Sequence, residues 1–460
     1  MKKKYAEQYA EFVENLEFER IPTVVVEHAK KLFLDTIGIC IASTRRNHAQ
    51  IFPELVLGFG GANESTVIGT TQKVPAPNAA LVNGTLAHFL DYDDSHLKSE
   101  AHISAAVVPT ALAIGEKIEA SGQDIITAAV AGWECTARIG MTFPLNFHNR
   151  GFHCTGIVDP FGAAIVASKL KKLSPDKISS ALGICGSQAA ALMECRNDGS
   201  MVKRMHPGWS AHSGIFASLL ASKGFTGPRS VFEGNLGLYE SHLGPGNYDA
   251  SIISNLGKEW ETLNCLIKPY PCAHYLHAYI DAAIKLRQSY GIKEEDIEKI
   301  EILINERGAK LTCESPSVQC PPESSYSAQF SMCYVVALAL MQGKVSLDDF
   351  DDQKIADSKI NSVGKKIFHT IHPKMADMGQ KGFFSGWIKI QTNNRKEYEH
   401  FQKYNRGCKE NPLSIDEVFN KFHTNAAGIL PSEKIHKIFS IIENFEEIKD
   451  ISNLMEQLRF

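Results

Sequence analysis

From its start to about residue 260 the chain runs through apolar segments of helical periodicity, separated by short breaks rich in Gly, Pro and Asn. That pattern confines this part to a helical domain. Val24–Ile41, Asn78–Asp91, Ala105–Ala120, Asp124–Ile139 and Gly214–Ser222 are the clearest segments, and Pro109 inside the third predicts a kink or a helix start there. At 460 residues the chain exceeds what one hydrophobic core supports, so two domains are expected.

The character changes after Lys268-Pro269-Tyr270-Pro271. A helical run, Ala278–Tyr290, leads to Ile297–Ile304, where isoleucines alternate as in a strand with one buried face. A second alternating stretch, Trp387–Gln391, meets Asn393-Asn394 and continues through Arg395–Tyr398, which predicts a hairpin. Near Asn411-Pro412-Leu413-Ser414 the pattern turns helical again, with Ser414 and Glu417 spaced as a capping box. The fold class expected is mainly α: an all-helical domain over residues 1–266, an α+β domain over 267–404, and a C-terminal segment, 405–460, that returns to the helical domain.

Lys and Arg total 48 against 52 Asp and Glu, a net charge of -4, so no global field exists for nucleic acid or an anionic membrane, and any anion site is local. The N-terminal lysines are followed by Glu7, Glu11, Glu14 and Glu17 where a signal peptide would be apolar, and no apolar window is long enough to cross a bilayer. A cytoplasmic protein is expected. The eleven cysteines include no CxxC pair, which predicts reduced, buried thiols and argues against a thiolate-held cluster or structural zinc.

The densest polar cluster in an apolar helical pattern runs from His88 to His96 and contains Asp91, Asp93, Asp94 and Ser95. If the helix continues through it, His88, Asp91 and Ser95 fall within about 60° of one another at 100° per residue, and one face carries a base, an acid and a hydroxyl. A solvated helix end is the alternative. A metal reading, by analogy with all-helical terpenoid synthases, lacks a second acidic motif, because Asn197-Asp198-Gly199-Ser200 has no downstream Glu. His102, before the Ala105 helix, and His153, in a Gly-flanked loop, are candidate proton carriers near neutral pH, though such a histidine taken singly is more often a hydrogen-bonded structural one. Lys203, Arg204 and His206, next to a small-residue helix taken to open at Ser213-Gly214, suit a carboxylate cradle; an exposed basic turn is the alternative. Lys268 with Tyr270 offers a rigidly placed cation beside an aromatic ring. His274 and His277 lack a third metal ligand, and Gly58-Phe59-Gly60-Gly61 lacks the setting of a dinucleotide fingerprint.

Several ordered stretches resemble the MmgE/PrpD family: Asn78 to His88, Leu90 to His96, Lys203 to Gly208, Gly224-Phe225-Thr226-Gly227-Pro228, Lys268 to Pro271 and Asn411 to Ser414. The resemblance spans nearly the whole chain. It implies a helical domain built from both termini, a smaller inserted α+β (lid) domain with the site in the cleft between them, and a homodimer joined through the helical domain. It also implies a cofactor-independent enzyme without metal, acting on a small polycarboxylate by acid–base chemistry. Catalytic residues carried over by motif are Asp91, His102, His153, Lys203, Lys268 and Tyr334, with Ser95, His88, Arg204, His206 and Tyr270 expected to bind substrate. Ser95 stands where threonine is common, and Ile103 follows His102 where proline is usual.

The reactions of the family pass through enolate-like species beside a carboxylate. Lys203, Lys268 and His102 are therefore assigned to charge stabilisation, at about a few kcal/mol each, and His153 and Asp91 to proton transfer. A hydro-lyase like 2-methylcitrate dehydratase is the leading expectation. Iminodisuccinate epimerase or cis-aconitate decarboxylase activity is the alternative, and a metal-dependent terpenoid enzyme or a silent scaffold belongs to a different class.

Overall fold

The computed structural model describes residues 3–142, 146–246, 248–377 and 385–460, so Met1 and Lys2 of the N-terminal run lie outside it. The chain divides into two compact units, one of Met1–Ile267 with Ser414–Phe460 and the other of Lys268–Leu413.

The principal helices of the first unit are α1 (Thr23–Ser43), α2 (Ala76–His88), α3 (Ser104–Lys117), α4 (Gly122–Met141), α5 (Cys154–Leu170) and α6 (His206–Ser222). Most of their residues are buried, including all thirteen from Ser104 to Glu116, so these helices are apolar on every side and form the centre of the unit. Pro109 sits inside α3. Two short strands, β1 (Ser95–His96) and β2 (Cys265–Leu266), pair antiparallel. No helix among the described residues is long and apolar enough to cross a membrane.

Two helix boundaries differ from the sequence expectation. α2 ends at His88, not at Asp91: the chain leaves the helix at Phe89, and Asp91 adopts φ 51, in the left-handed region that Asp tolerates better than most residues. Ser95 then lies in β1, so His88, Asp91 and Ser95 share no helical face. α6 begins at His206, not at Gly214, because Pro207 falls in the first turn, where its fixed φ and missing N–H favour a helix start.

The second unit contains α7 (His277–Tyr290), β3 (Ile297–Ile304), α8 (Met332–Gln342), β4 (Ile367–Ile371), β5 (Gly386–Thr392) and β6 (Glu397–Gln402). Its sheet has the order β4-β3-β5-β6, with β3 parallel to β4 and antiparallel to β5, and β5 and β6 forming the expected hairpin. Ile300, Ile302, Ile388 and Ile390 join α7 and α8 in one core, which gives the unit its α+β character. All eleven cysteines are free; eight are buried, and Cys313, Cys320 and Cys333 are partly covered.

After Leu413 the chain re-enters the first unit through α9 (Ile415–Ala426), which opens with the predicted Ser414–Glu417 capping box. α9 packs on α1 so closely that a Cβ at Gly38 would come 3.0 Å from the Phe422 ring.

Candidate functional site

Helix ends of the first unit converge to form the site. His88 closes α2, His102 stands two residues before α3, and His153 is the N-cap residue of α5. Lys203 lies in the 3-10 turn Met201–Met205, and His206 opens α6. Their spacing is set by backbone contact: α2 and α6 meet where a Cβ at Gly84 would come 2.8 Å from the Gly208 Cα, and one at Gly208 would come 2.2 Å from the Leu81 carbonyl oxygen. Only glycine fits at such a crossing. It holds His88, one turn past Gly84, near His206, two residues before Gly208.

The loop between α2 and β1 is braced from the far end of the chain. Lys421 of α9 donates to the Tyr92 carbonyl at 3.0 Å, lies 3.7 Å over the Tyr92 ring and pairs with Asp35 at 2.6 Å. The His102 loop is tied by its own N–H to Thr155 Oγ1 at 3.1 Å, and Ser104 N–H donates to Asp94 Oδ1 at 3.2 Å.

Five imidazoles result in one cluster, with the His148 ring 5.9 Å from His153. Ring centroids are 4.7 Å apart for His88 and His102, 5.6 Å for His88 and His153, 6.0 Å for His102 and His153, and 5.2 Å for His153 and His206. His88 Nδ1 lies 2.7 Å from Asp93 Oδ2, and the same carboxylate oxygen is 3.5 Å from His102 Nδ1. His102 Nδ1 is also 2.9 Å from the Asp94 carbonyl oxygen. These acceptors select the Nδ1–H tautomer of neutral His88 and His102 and leave each Nε2 as the basic nitrogen. His88 Nε2 is buried without a partner. His153 and His206 face each other through their Nδ1 atoms at 3.0 Å, so one donates and the other accepts.

Burial holds His88, His153 and His206 neutral. It lowers the pKa of His88, lowers that of His153 well below the ordinary range with Lys203 adding to the effect, and takes His206 down to about 4. Lys203 Nζ is 3.4 Å from Asp91 Oδ1, a largely buried ion pair. Behind the histidines, burial and the neighbouring Asp93 push Asp94 up to about 8. Asp159, the one acidic residue of α5, is raised well above the carboxylate range by burial, then by Asp94 and Asp93. Both are therefore protonated near neutral pH.

Asp91, His88, His102, His153, Lys203 and His206 are thus brought together. Ser95 is buried in β1, and Arg204 lies over the Phe89 ring at 4.8 Å. Lys268, Tyr270 and Tyr334 belong to the second unit. There Lys268 is buried, Tyr270 donates to Asp281 at 2.7 Å, and Tyr334, fully buried in the core, donates its hydroxyl to the Asp349 carbonyl. His274 and His277 stack at 4.7 Å within that unit, with Asn405 and the Cys272 carbonyl as partners. The sequence reading missed Asp93, Asp94 and Asp159 as site residues. The signal for Asp159 was there, a lone acid in an apolar helix, whereas Asp93 and Asp94 were hidden in a run of acids that allows any of them to be the functional one.

Among the described residues, two sets of side chains could also hold a cation. His88, His102 and His153, and separately Asp91, Asp93 and His102, bring potential ligand atoms within 4.8 Å of one another. The nitrogen set suits a metal such as zinc, but the Lys203 ammonium beside it already occupies the position of a cation toward Asp91.

Residues 7–251 match the MmgE/PrpD N-terminal domain and residues 270–447 the MmgE/PrpD C-terminal domain. Cis-aconitate decarboxylase of Aspergillus terreus (strain NIH 2624 / FGSC A1156) is 26% identical over 96% of this chain and 94% of its own length. Cis-aconitate decarboxylase of Homo sapiens is 25% identical over 100% and 95%, and 2-methylcitrate dehydratase of Escherichia coli (strain K12) is 23% identical over 93% and 91%. With both family domains matched in order along the chain, this protein belongs to the MmgE/PrpD family.

Proposed function

We propose that this chain is a lyase acting on a small polycarboxylate, and specifically a carboxy-lyase of the cis-aconitate decarboxylase type. The cis-aconitate decarboxylases, at 25% and 26% identity over essentially full length, support this in preference to the hydro-lyase expected from the sequence. The observation that carries the chemistry is the Asp93 carboxylate shared by His88 and His102, with the Lys203–Asp91 pair in the same cluster.

A polyanionic substrate needs local positive charge, and Lys203 and Arg204 supply it. The basic Nε2 of His102 takes up a proton as the anion arrives, because a second negative charge joins Asp93 in favouring imidazolium. The bond between a carboxylate and its carbon then breaks and CO2 leaves. The electron pair spreads over the adjacent double bond and the remaining carboxylate, where Lys203 stabilises it. His102 delivers its proton to carbon and is reprotonated from solvent. His153, more strongly desolvated and beside Lys203, stays neutral and hydrogen-bonds the substrate, so it exchanges with His102 the roles assigned from sequence. Asp91 orients Lys203. Lys268 and Tyr334, both in the second unit, are given no step here, and the Tyr334 hydroxyl is engaged by the Asp349 carbonyl.

A dehydratase would use the same charge-stabilising groups, and the Escherichia coli relative keeps that second reading in view. Incubation with 13C-labelled cis-aconitate and with 2-methylcitrate, followed by NMR, separates the two. Release of labelled CO2, reduced about a hundredfold or more in His102→Gln, is expected. Water loss from 2-methylcitrate without CO2 would establish the hydro-lyase instead, and inertness toward both would defeat the proposal.

A further inference from the structure

His88, His102 and His153, at three helix ends of the first unit, bring one ring nitrogen each within 4.8 Å of one another. Imidazole binds zinc at about 2.0–2.1 Å, which puts a ring centre about 3.2 Å from the ion, and a tetrahedral angle then separates ring centres by about 5.2 Å. The observed separations of 4.7, 5.6 and 6.0 Å bracket that value, so the three rings already stand near such an arrangement.

We infer that these three imidazoles form a zinc site, and that zinc held there inhibits the enzyme by taking the nitrogen with which His102 carries its proton.

The hydrogen bonds around the rings prepare them as ligands. Asp93 Oδ2 lies 2.7 Å from His88 Nδ1 and 3.5 Å from His102 Nδ1, and the Asp94 carbonyl oxygen lies 2.9 Å from His102 Nδ1, so in both rings the lone pair is on Nε2. A carboxylate behind a metal-bound histidine fixes the ring and raises the basicity of its donor nitrogen. His88 Nε2 is buried without a hydrogen-bond partner, and a coordinate bond would satisfy it. His88 and His153 are neutral, so no proton has to leave either ring before the ion arrives.

The oxygen-rich set of Asp91, Asp93 and His102 is the weaker competitor. Asp91 is paired with the Lys203 ammonium at 3.4 Å, Asp93 is engaged by His88, and one nitrogen of His102 serves one ion only. Lys203 opposes any cation, and the Asp91 and Asp93 carboxylates offset it. Nitrogen donors therefore select zinc over magnesium or calcium, and three protein ligands leave a fourth position for water or a carboxylate. The inhibition rests on the lyase reading, in which His102 carries the proton; the binding of the ion does not.

For the test the full chain is stripped with a chelator and dialysed, then titrated with cobalt(II) or loaded with one equivalent of zinc for X-ray absorption. The visible bands of four-coordinate cobalt should saturate at one ion per chain, persist in excess magnesium and vanish in His88→Gln. The zinc spectrum should show imidazole scattering and no sulfur. Saturating zinc should lower turnover of the polycarboxylate about a hundredfold, as loss of the proton carrier would, and a chelator should restore it. A sulfur shell, no binding at one equivalent, or cobalt bands unchanged in His88→Gln would each overturn the site, and full turnover with zinc bound would overturn the inhibition. Imidazole-bound zinc in a chain inert toward both cis-aconitate and 2-methylcitrate would support the site and defeat the lyase reading alone. The X-ray absorption spectrum of the wild-type chain decides the ligands even if the variant fails to fold.

Discussion

Asp94 gives the sharpest test of the buried electrostatics. Its carboxyl is 1% exposed, and burial, followed by the charge of Asp93, raises it from 3.8 in the unfolded chain to about 8. Between those values the native state holds a proton that the unfolded state has released, so stability falls as pH rises through the window. The slope is about 1.4 kcal/mol per pH unit, and over the full window the effect is on the order of 5 kcal/mol, an upper figure for so buried a group. Asp94→Asn removes the titration while keeping an oxygen to accept from Ser104 N–H, and the His102 contact is to the backbone carbonyl, which the substitution leaves in place. Urea unfolding followed by circular dichroism at pH 5, 6 and 7 should show the wild type losing about 2.5 kcal/mol more than the variant across those two units. Asp159 is shifted in the same direction, so the variant keeps part of the pH dependence. Parallel profiles for the two proteins would mean that Asp94 is ionised at neutral pH, and the account of a protonated layer behind the histidines would fail.

Lys203→Ala should lower kcat/KM for the polycarboxylate by about a hundredfold or more, since it removes the cation and leaves Asp91 buried beside neutral rings; steady-state kinetics with near-native turnover would refute its role. Gly208→Ala places a methyl against the Leu81 carbonyl and Thr85, so a destabilisation of about 1–3 kcal/mol by denaturant titration is expected, with lost activity as α2 and α6 separate. Exhaustive chelation should leave turnover unchanged, whereas loss of activity restored by zinc would assign His88, His102 and His153 to a metal. Binding of the substrate should take up protons near pH 7, measured by calorimetry in buffers of different ionisation enthalpy; uptake of none would remove His102 as the proton carrier.

Local patterns declared most of the elements. The 3.6-residue periodicity located α1, α3 and α4, the alternation of isoleucines located β3, and Ser414 with Glu417 marked the start of α9. The errors came where local rules permit two outcomes. Acidic residues after His88 can extend a helix or leave it, and packing of Lys421 against Tyr92 is what accompanies the exit. Pro207 can end a helix or begin one, and the Gly84–Gly208 crossing favours a beginning.

The sequence by itself determined the residue types, the helical class and the family, because periodicity and ordered motifs are properties of neighbours along the chain. Which nitrogen of His88 and His102 is basic, why Asp94 and Asp159 keep their protons, and how a helix beginning at Ile415 braces a loop at Tyr92 were decided only by the tertiary structure. Desolvation and hydrogen-bond partnership depend on atoms that arrive from distant segments, and no window of sequence contains them.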